Sequence, residues 1–326
     1  MFRQIFNPDL YHGRHRRRNF FEGWYFKLVD ARQQEVFAFI PGILKGRAPT
    51  DSHSFIHLVD GGNAFMHYLR LPPQQFTAAP NSFDVSVGEN NFSLQGMELT
   101  VDEPEFSVQG KLTFANVAKW PDSLLSPGSM GPYNFLPRMQ CYSQVCAMDM
   151  EISGQLTVNS RIVDLDGGRG YVEKNWGSAF PHSWIWVQGN SFPSRASISC
   201  SLGHIPMPLG TSFRGFLIGL MVEGQFYAFT TANRSKIHIQ QSGSDIVLQA
   251  LSKKYLLTMA TATREENFIT LLGPRDGEMV PLLKENLRGT VSVKLQRRSD
   301  NKILFQETSK CAGIEYGGNQ MLVLDQ

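Results

Sequence analysis

Hydrophobic and polar residues alternate with period two in many short runs of this chain, and the runs end at turn residues. This alternation is typical of β-strands, whose successive side chains point to opposite faces of a sheet. In residues 20–29 (FFEGWYFKLV), for example, Glu22, Trp24 and Phe26 would share one face of a strand. Similar runs recur between Gly, Pro and Asn turns, whereas helical periodicity is scarce. The pattern predicts an all-β protein.

The number and spacing of the predicted strands favour barrels or sandwiches, and a barrel that closes removes its exposed edges. At 326 residues the chain is long enough for two domains. A weak repeat supports two halves, since Glu22 and Glu173 lie about half the chain apart and each is closely followed by Trp. We therefore predict two antiparallel barrels packed together, formed by residues 1–160 and 161–326. The first would carry a lid loop at 121–137, and Glu278–Leu287 would be one of the few short helices.

Residues 167–192 (GGRGYVEKNWGSAFPHSWIWVQGNSF) combine three tryptophans with charged and carboxamide side chains. If they form two strands around Pro181, period two places Lys174 and Trp176 on one face of the first strand. The other faces are polar and aromatic: Tyr171, Glu173 and Asn175 in the first strand, and Trp184, Trp186, Gln188 and Asn190 in the second. Such faces are too polar for an apolar core and too aromatic for a solvated surface. They are typical of the inside of a barrel that holds a mostly apolar ligand.

Glu173 is the first candidate for chemistry in this stretch. Burial among tryptophans disfavours the charged form of a carboxyl group, so Glu173 could hold a proton and act as a general acid. Indole faces stabilise nearby cations. Together these groups would suit protonation of an alkene and stabilisation of a tertiary carbocation. The alternative is that Glu173 pairs with a buried Arg or Lys and the tryptophans only pack. Glu22 could be a second carboxylate in the N-terminal half, or it could be ion-paired or lie at a barrel mouth.

Other chemistries lack support in the sequence. Motifs for nucleotide binding, serine hydrolysis and zinc proteases are missing. His53 and His57 share a strand face but would lie roughly 13 Å apart, too far for one metal ion. The four cysteines have no metal-ligand spacing and are expected to be free thiols in a reducing compartment. No metal site is therefore predicted.

The charge pattern says little about partners. The net charge is +2, and the basic residues cluster at 14–18 (RHRRR). A solvated segment is the simplest interpretation of this cluster, with attraction to an anionic membrane surface as the alternative. No nucleic-acid motif follows the cluster, so nucleic acid is not an expected partner. The apolar stretch Phe213–Val222 is too short to span a bilayer, and the start has no secretory h-region. We expect a cytoplasmic protein, with peripheral membrane contact as the variant.

Five segments, in this order, resemble the tocopherol cyclase family of plants, cyanobacteria and their bacterial relatives. They are Phe20–Lys27 (FFEGWYFK), Tyr133–Tyr142 (YNFLPRMQCY), Asp164–Phe192 (DLDGGRGYVEKNWGSAFPHSWIWVQGNSF), Ser212–Leu220 (SFRGFLIGL) and Ala312–Gly318 (AGIEYGG). The resemblance implies two lipocalin-like β-barrels, a fold shared with carotenoid hydratases. It also implies closure of a prenylated benzoquinol to a chromanol, by alkene protonation and capture of the cation by the phenol oxygen, with no cofactor. The matching motif of the hydratases has Asp where this chain has Glu173.

The resulting hypothesis is a cofactor-independent intramolecular cyclase acting on a hydrophobic prenylated quinol, as in vitamin E biosynthesis. Glu173 would donate the proton, assisted by Lys174 or Asn175. The expected substrate-binding residues surround it: Trp176, Trp184 and Trp186 against the cation and the isoprenoid tail, Gln188 and Asn190 at the phenol, and Tyr171, Glu22 and Trp24 along the wall. Two alternatives remain open at this point. One is a carrier of prenylquinone or lipid without catalysis, and the other is a hydratase that uses water as the nucleophile.

Overall fold

The computed structural model describes residues 2–137, 139–206 and 212–324 of the chain. Within them, strands dominate, and α1 (Phe2–Phe6) is a single short α-helix. Short 3-10 helices are found at Gly13–His15, Pro49–Asp51, Pro73–Gln75, Gly131–Phe135, Glu265–Asn267 and Gln320–Leu322. The strands form two large antiparallel sheets, each curled around its own core. The predicted fold class, all-β with two lipocalin-like antiparallel sheets, is confirmed.

The first sheet has twelve strands in the order β4-β3-β2-β1-β12-β10-β9-β8-β7-β6-β5, with β11 paired to β10. Their bounds are β1 (Phe20–Val29), β2 (Val36–Lys45), β3 (His53–Asp60), β4 (Phe65–Leu71), β5 (Phe76–Ala78), β6 (Asp84–Val87), β7 (Asn90–Ser93), β8 (Gly96–Asp102), β9 (Ser107–Ala118), β10 (Cys141–Val158), β11 (Arg161–Asp164) and β12 (Arg169–Gly177). The outermost strands, β4 and β5, are consecutive in the chain, and β6 contacts β2 and β3 across the interior. The sheet therefore curls towards closure.

The second sheet has ten strands in the order β16-β15-β14-β13-β22-β21-β19-β18-β17, with β20 paired to β21. Their bounds are β13 (Ser183–Gly189), β14 (Ala196–Pro206), β15 (Ser212–Val222), β16 (Gln225–Thr230), β17 (Lys236–Ser242), β18 (Asp245–Leu251), β19 (Tyr255–Ala262), β20 (Ile269–Arg275), β21 (Glu278–Arg297) and β22 (Ile303–Gly318). Its outermost strands, β16 and β17, are again consecutive. In both sheets the last long strand, β12 or β22, is inserted beside the first, β1 or β13.

The chain divides into two compact units, Met1–Phe180 with Leu272–Pro281, and Pro181–Leu271 with Leu282–Gln326. The boundary predicted after residue 160 differs from this division. Strand β12 comes after residue 160, yet both of its edges are paired inside the first sheet, to β1 and to β10. A strand with both edges paired is a central strand of its sheet, so it belongs to the first unit.

The short helix predicted at Glu278–Leu287 is wrong, because these residues begin the long strand β21. That strand pairs with β22 on one edge and with β19 on the other. Pairing across a sheet overrides local helix propensity, and Pro281 lacks the N–H that a helix interior needs.

Each sheet has an inner face, which lines its own apolar core, and an outer face. In the first sheet the core includes Phe26 of β1 and Val172 of β12. In the second sheet it includes Ile185 and Val187 of β13, together with Ile314 of β22. Because side chains alternate along a strand, these residues define the face on which every neighbouring side chain lies.

Candidate functional site

Strand β12 lies at the centre of the first sheet and presents different chemistry on its two faces. Val172 belongs to the core, so Lys174 and Trp176 are also on the inner face. Tyr171, Glu173 and Asn175 share the outer face. Period two grouped these three residues correctly, but the prediction that their face lines a barrel interior is wrong, because the face with Val172 packs on the core. Lys174 and Glu173 therefore point to opposite sides of the sheet. The prediction that Lys174 assists Glu173 directly does not agree with this geometry. Asn175, the other predicted assistant, is on the same face as Glu173.

On the inner face, Lys174 forms an ion pair with Glu22 of β1. The Lys174 Nζ is 2.7 Å from Glu22 Oε1, and both side chains are completely buried. The ammonium group also donates a hydrogen bond to the backbone carbonyl of Leu10. It lies 5.2 Å from the ring centroid of Trp24 and 4.8 Å from that of Trp176, within the range of cation–π attraction. The buried charge is thus neutralised and hydrogen-bonded, as a charge without water must be.

The N-terminal segment completes this inner cluster. The backbone N–H groups of His12 and Gly13 donate to Glu22 Oε2, at 2.8 and 3.1 Å. The His12 ring stacks on Trp176 with centroids 4.0 Å apart, and Trp176 stacks in turn on Tyr142 of β10 at 5.3 Å. The residues before β1 are therefore anchored to the sheet through buried polar contacts.

The inner cluster sets the charge states of its members. Desolvation alone would raise the pKa of Glu22, but the Lys174 ammonium and the hydrogen bond with His12 hold it below its ordinary value. Burial and the charge of Lys174 lower the pKa of His12. Glu22 is consequently held as a carboxylate and His12 as a neutral imidazole. This agrees with the structural interpretation of Glu22, an ion-paired residue.

On the outer face, Glu173 has hydroxyl partners. The Tyr171 hydroxyl donates to Glu173 Oε2 at 2.7 Å, and the Ser143 hydroxyl of β10 donates to Oε1 at 2.8 Å. The Glu173 side chain is 5% exposed. Tyr25 of β1 is its register partner on the other side. The sequence did not point to Ser143 or Tyr25, because both are brought to Glu173 by strand pairing.

Two facing glycines, Gly23 of β1 and Gly42 of β2, leave part of the same face near Glu173 without side chains of its own, and we call this part the Gly23 depression. Gly23 of β1 pairs with Gly42 of β2 on one side and with Asn175 on the other. The Phe55 ring covers Gly42, since a Cβ there would collide with it. A Cβ on Gly23 would come no closer than 3.6 Å to its neighbours. Gly23 and Asn175 are partly exposed. A glycine inside a strand often marks the close approach of another group, so Gly23 is a candidate floor for a ligand.

The predicted aromatic face of β13 is on the outer face of the second sheet. Trp184, Trp186 and Gln188 alternate with Ile185 and Val187, which line the core. The prediction that these three side chains face a barrel interior is therefore wrong. The face that carries Ile185 and Val187 is inside, because burying these two side chains leaves no polar group to satisfy. The three side chains are nevertheless buried, as is Asn190 just beyond the strand.

The two tryptophans of β13 lie against glycines of β22. A Cβ on Gly317 would collide with the Trp184 ring, and one on Gly313 would come within 2.7 Å of the Trp186 ring. The Trp184 indole N–H donates to Glu315 Oε1. Strand pairing therefore holds both indoles in place.

The sequence pattern did not point to Glu315 of β22 either. In register, it lies between Trp186 of β13 and Glu285 of β21. Strand β22 occupies in the second sheet the position that β12 occupies in the first. The repeat that the sequence suggested between Glu22 and Glu173 is wrong, because both are in one sheet on adjacent strands. The equivalent positions in the two sheets are those of β12 and β22, each of which carries a glutamate on its outer face.

The predicted site residues thus form three groups. Glu22, Trp24, Lys174 and Trp176 are on the inner face of the first sheet. Tyr171, Glu173 and Asn175 are on its outer face, and Trp184, Trp186, Gln188 and Asn190 belong to the second unit. Across the described ranges, no three His, Cys, Asp or Glu side chains are grouped so that they could hold a metal ion. No helix in the described part of the chain is long and apolar enough to cross a membrane.

The amino-acid sequence is similar to those of two plant proteins. The chain is 24% identical to the tocopherol cyclase, chloroplastic, of Zea mays, over 92% of this chain and 75% of the maize protein. It is 25% identical over 190 residues to the probable tocopherol cyclase, chloroplastic, of Oryza sativa subsp. japonica. That alignment covers 56% of this chain and spans only 40% of the rice protein.

Among solved structures, that of CghA has a similar fold. It superposes with a TM-score of 0.57 at 11% sequence identity, over 92% of this chain and 88% of CghA. This likeness concerns the fold alone. The model of the tocopherol cyclase-like family matches residues 71–318, a range that includes β12, β13 and β22. The chain therefore belongs to the tocopherol cyclase-like family.

Proposed function

We propose that this protein is a cyclase that closes a prenylated phenol or quinol to a chromanol, with Glu173 as the proton donor. The observation that carries the proposal is the position of Glu173. Its carboxyl group is buried, bonded to two hydroxyls, and adjacent to the depression at Gly23. Membership of the tocopherol cyclase-like family supports the same class of reaction.

Two glutamates of the first sheet could in principle supply the proton, and their partners favour Glu173. Glu22 is held as a carboxylate by the Lys174 ammonium, so it has no proton to give near neutral pH. A hydroxyl can donate to a carboxylate or accept from a carboxylic acid. The contacts with Tyr171 and Ser143 are therefore compatible with both states that a general acid passes through.

The proposed reaction balances without a second reactant. The Glu173 O–H bond breaks as its proton moves to the less substituted carbon of the first prenyl double bond. The other alkene carbon becomes a tertiary cation, and a lone pair of the phenol oxygen forms the new C–O bond. The phenol proton then returns to the Glu173 carboxylate, which restores the acid. The reaction is an isomerisation, since no atoms or electrons are gained or lost.

The remaining predicted residues have narrower roles in this proposal. Asn175 is at the edge of the Gly23 depression and can orient a phenol oxygen by hydrogen bonding. Trp24 and Trp176 do not line the substrate site at Glu173 in this proposal, because they surround Lys174 on the opposite, inner face of the sheet. Trp184, Trp186, Gln188 and Asn190 belong to the second unit, and their substrate-binding roles stay predictions from the sequence.

The test is incubation of the purified protein with a prenylated benzoquinol, with product identified by mass spectrometry and NMR. We expect wild type to form the chromanol. The Glu173→Gln variant should lose about 10²- to 10⁴-fold in rate, the usual contribution of a positioned general acid. The Glu173→Asp variant keeps a carboxyl group and should retain part of the rate, and both variants should unfold like wild type.

Other outcomes would identify a different function. Tight binding of the quinol without any product would favour a carrier. A tertiary alcohol would indicate a hydratase, in which water captures the cation in place of the phenol. An unchanged rate in Glu173→Gln would show that another group is the acid.

A further inference from the structure

Exposed leucines form an unusual feature on the segment that precedes β10. Leu124 and Leu125 are 77% and 84% exposed. They form the tip of a small turn that is closed by reciprocal backbone hydrogen bonds between Ser123 and Ser126. A single exposed leucine is ordinary, but contiguous exposed apolar side chains mark interaction sites.

Further exposed apolar side chains adjoin this turn. The Ser126 hydroxyl lies beside Gly131, where the 3-10 helix Gly131–Phe135 begins. Phe135 contacts Phe6 of α1 edge to face, with centroids 5.9 Å apart. Phe6, Phe135 and Leu136 are all more than 40% exposed. We call the five residues the apolar patch: Phe6, Leu124, Leu125, Phe135 and Leu136.

A basic run follows Phe6 of the apolar patch in the same N-terminal segment. Arg14, His15, Arg16, Arg17 and Arg18 are all exposed. Pro8 packs near Gly128, which lies in sequence between Leu125 and Phe135 of the apolar patch. Arg14 follows Pro8 closely in the chain, so the two lie at most roughly 20 Å apart by the length of an extended residue. The run carries one sign of charge, and Asp122 is the acidic residue nearest in sequence to the two leucines.

The geometry points to a membrane-binding surface: we propose that the apolar patch and the basic run together bind the surface of an anionic lipid bilayer. Leu124 and Leu125 enter the acyl region, and the arginines lie among anionic headgroups. A protruding turn with apolar side chains at its tip can insert between lipids. A run of like charges matches an extended anionic surface. This proposal concerns where the protein binds and does not depend on the reaction proposed above.

Cosedimentation with vesicles tests the proposal, using full-length protein without substrate. Wild type should bind vesicles of phosphatidylcholine mixed with phosphatidylglycerol. It should bind vesicles of phosphatidylcholine alone much more weakly. Raising the salt concentration should release it, because screening weakens exposed charge attraction. The Leu124→Ser/Leu125→Ser variant should bind at least ~10-fold more weakly, through loss of apolar burial. The Arg17→Ser/Arg18→Ser variant should bind anionic vesicles about 25-fold more weakly, at about 5-fold for each charge.

Ile162 of β11 gives a matched control, since it is 65% exposed and lies away from both segments in sequence. The Ile162→Ser variant should bind like wild type. Circular dichroism and thermal unfolding should show that all three variants fold. The proposal is overturned if wild type does not sediment with anionic vesicles, or if the leucine variant sediments as wild type does. A leucine variant that changes from oligomer to monomer, with vesicle binding unaltered, would also overturn it and identify a protein interface.

Discussion

Glu22 and Glu173 lie on neighbouring strands of one sheet, and both are buried, yet their surroundings differ completely. Glu22 is on the inner face, with an ammonium partner at 2.7 Å and two backbone N–H donors. Glu173 is on the outer face, with two hydroxyl partners and a depression beside it. The first arrangement neutralises a fixed charge, whereas the second supplies hydroxyl groups, which can donate to a carboxylate or accept from a carboxylic acid. Burial of a carboxylate therefore says little about function until its partners are known.

The inner-face pair can be broken by removing its cation. The Lys174→Met variant should lose about 3–5 kcal/mol of unfolding free energy, because Glu22 is left as a buried charge without compensation. The Glu22→Gln/Lys174→Met variant removes both charges and should recover most of that loss. Urea unfolding of the three proteins measures these differences.

Lys111 provides the control for this prediction. It is exposed and lies 3.5 Å from Glu98, also an exposed residue. Surface pairs contribute about 0–1 kcal/mol, so Lys111→Met should change stability little. If Lys174→Met is no more destabilising than Lys111→Met, the buried pair does not stabilise the inner face.

The same pair predicts a loss of stability in acid. The pKa of Glu22 is lower in the folded protein than the ordinary value of 4.5. A carboxyl group whose pKa is lowered by folding gives stability that is present above pH 4.5. This stability is lost as the pH falls through the pKa of the folded state. For one proton the slope is at most about 1.4 kcal/mol per pH unit. Unfolding measured below pH 4.5 should show a smaller loss in the Glu22→Gln/Lys174→Met variant than in wild type, and equal slopes would contradict the assignment.

Much of this comparison could be predicted from the sequence. Period two correctly separated Glu173 from Lys174 and grouped Trp184 with Trp186. It did not tell which face is inside, because both faces of β12 mix apolar and polar residues. For β13 the signal was present, since Ile185 and Val187 form the only wholly apolar alternate pair of that strand. The polar and aromatic face of β13 resembles the lining of a ligand pocket, and for that reason the pattern predicted that it faces a barrel interior.

The partners that Glu173 and Glu315 have on neighbouring strands could not be predicted from the sequence. Ser143 is thirty residues from Glu173, and Glu285 reaches Glu315 only through the register of β21 with β22. Both contacts join residues on different strands that are far apart in sequence, so they follow only once the register of the paired strands is known. An ion-paired Glu22 was one of the open alternatives, but Lys174 was not predicted as its partner, because that contact depends on the pairing of β1 with β12. The contacts with Leu10 and His12 depend on the path of the N-terminal segment.

The outer-face glutamate can be examined through its two hydroxyl partners. Tyr171→Phe and Ser143→Ala should each slow chromanol formation by about 3- to 10-fold, the worth of one hydrogen bond. The pH profile of the rate should also move, because the partners act through Glu173. Tyr142→Phe is the control, since its hydroxyl bonds the Leu136 carbonyl. If the pH profile is the same in all three variants, the hydroxyls have only a structural role.

The smallest change concerns the depression beside Glu173. Gly23 lies in a strand where a Cβ has room, so Gly23→Ala should leave the unfolding free energy unchanged or raise it by up to ~1 kcal/mol. The same methyl group would occupy space that the substrate needs, and KM should rise about 5-fold or more. Gly42→Ala is the contrasting variant, because its Cβ collides with Phe55 and overpacking costs about 1–3 kcal/mol. A Gly23→Ala enzyme with wild-type KM would mean that the substrate reaches Glu173 by another side.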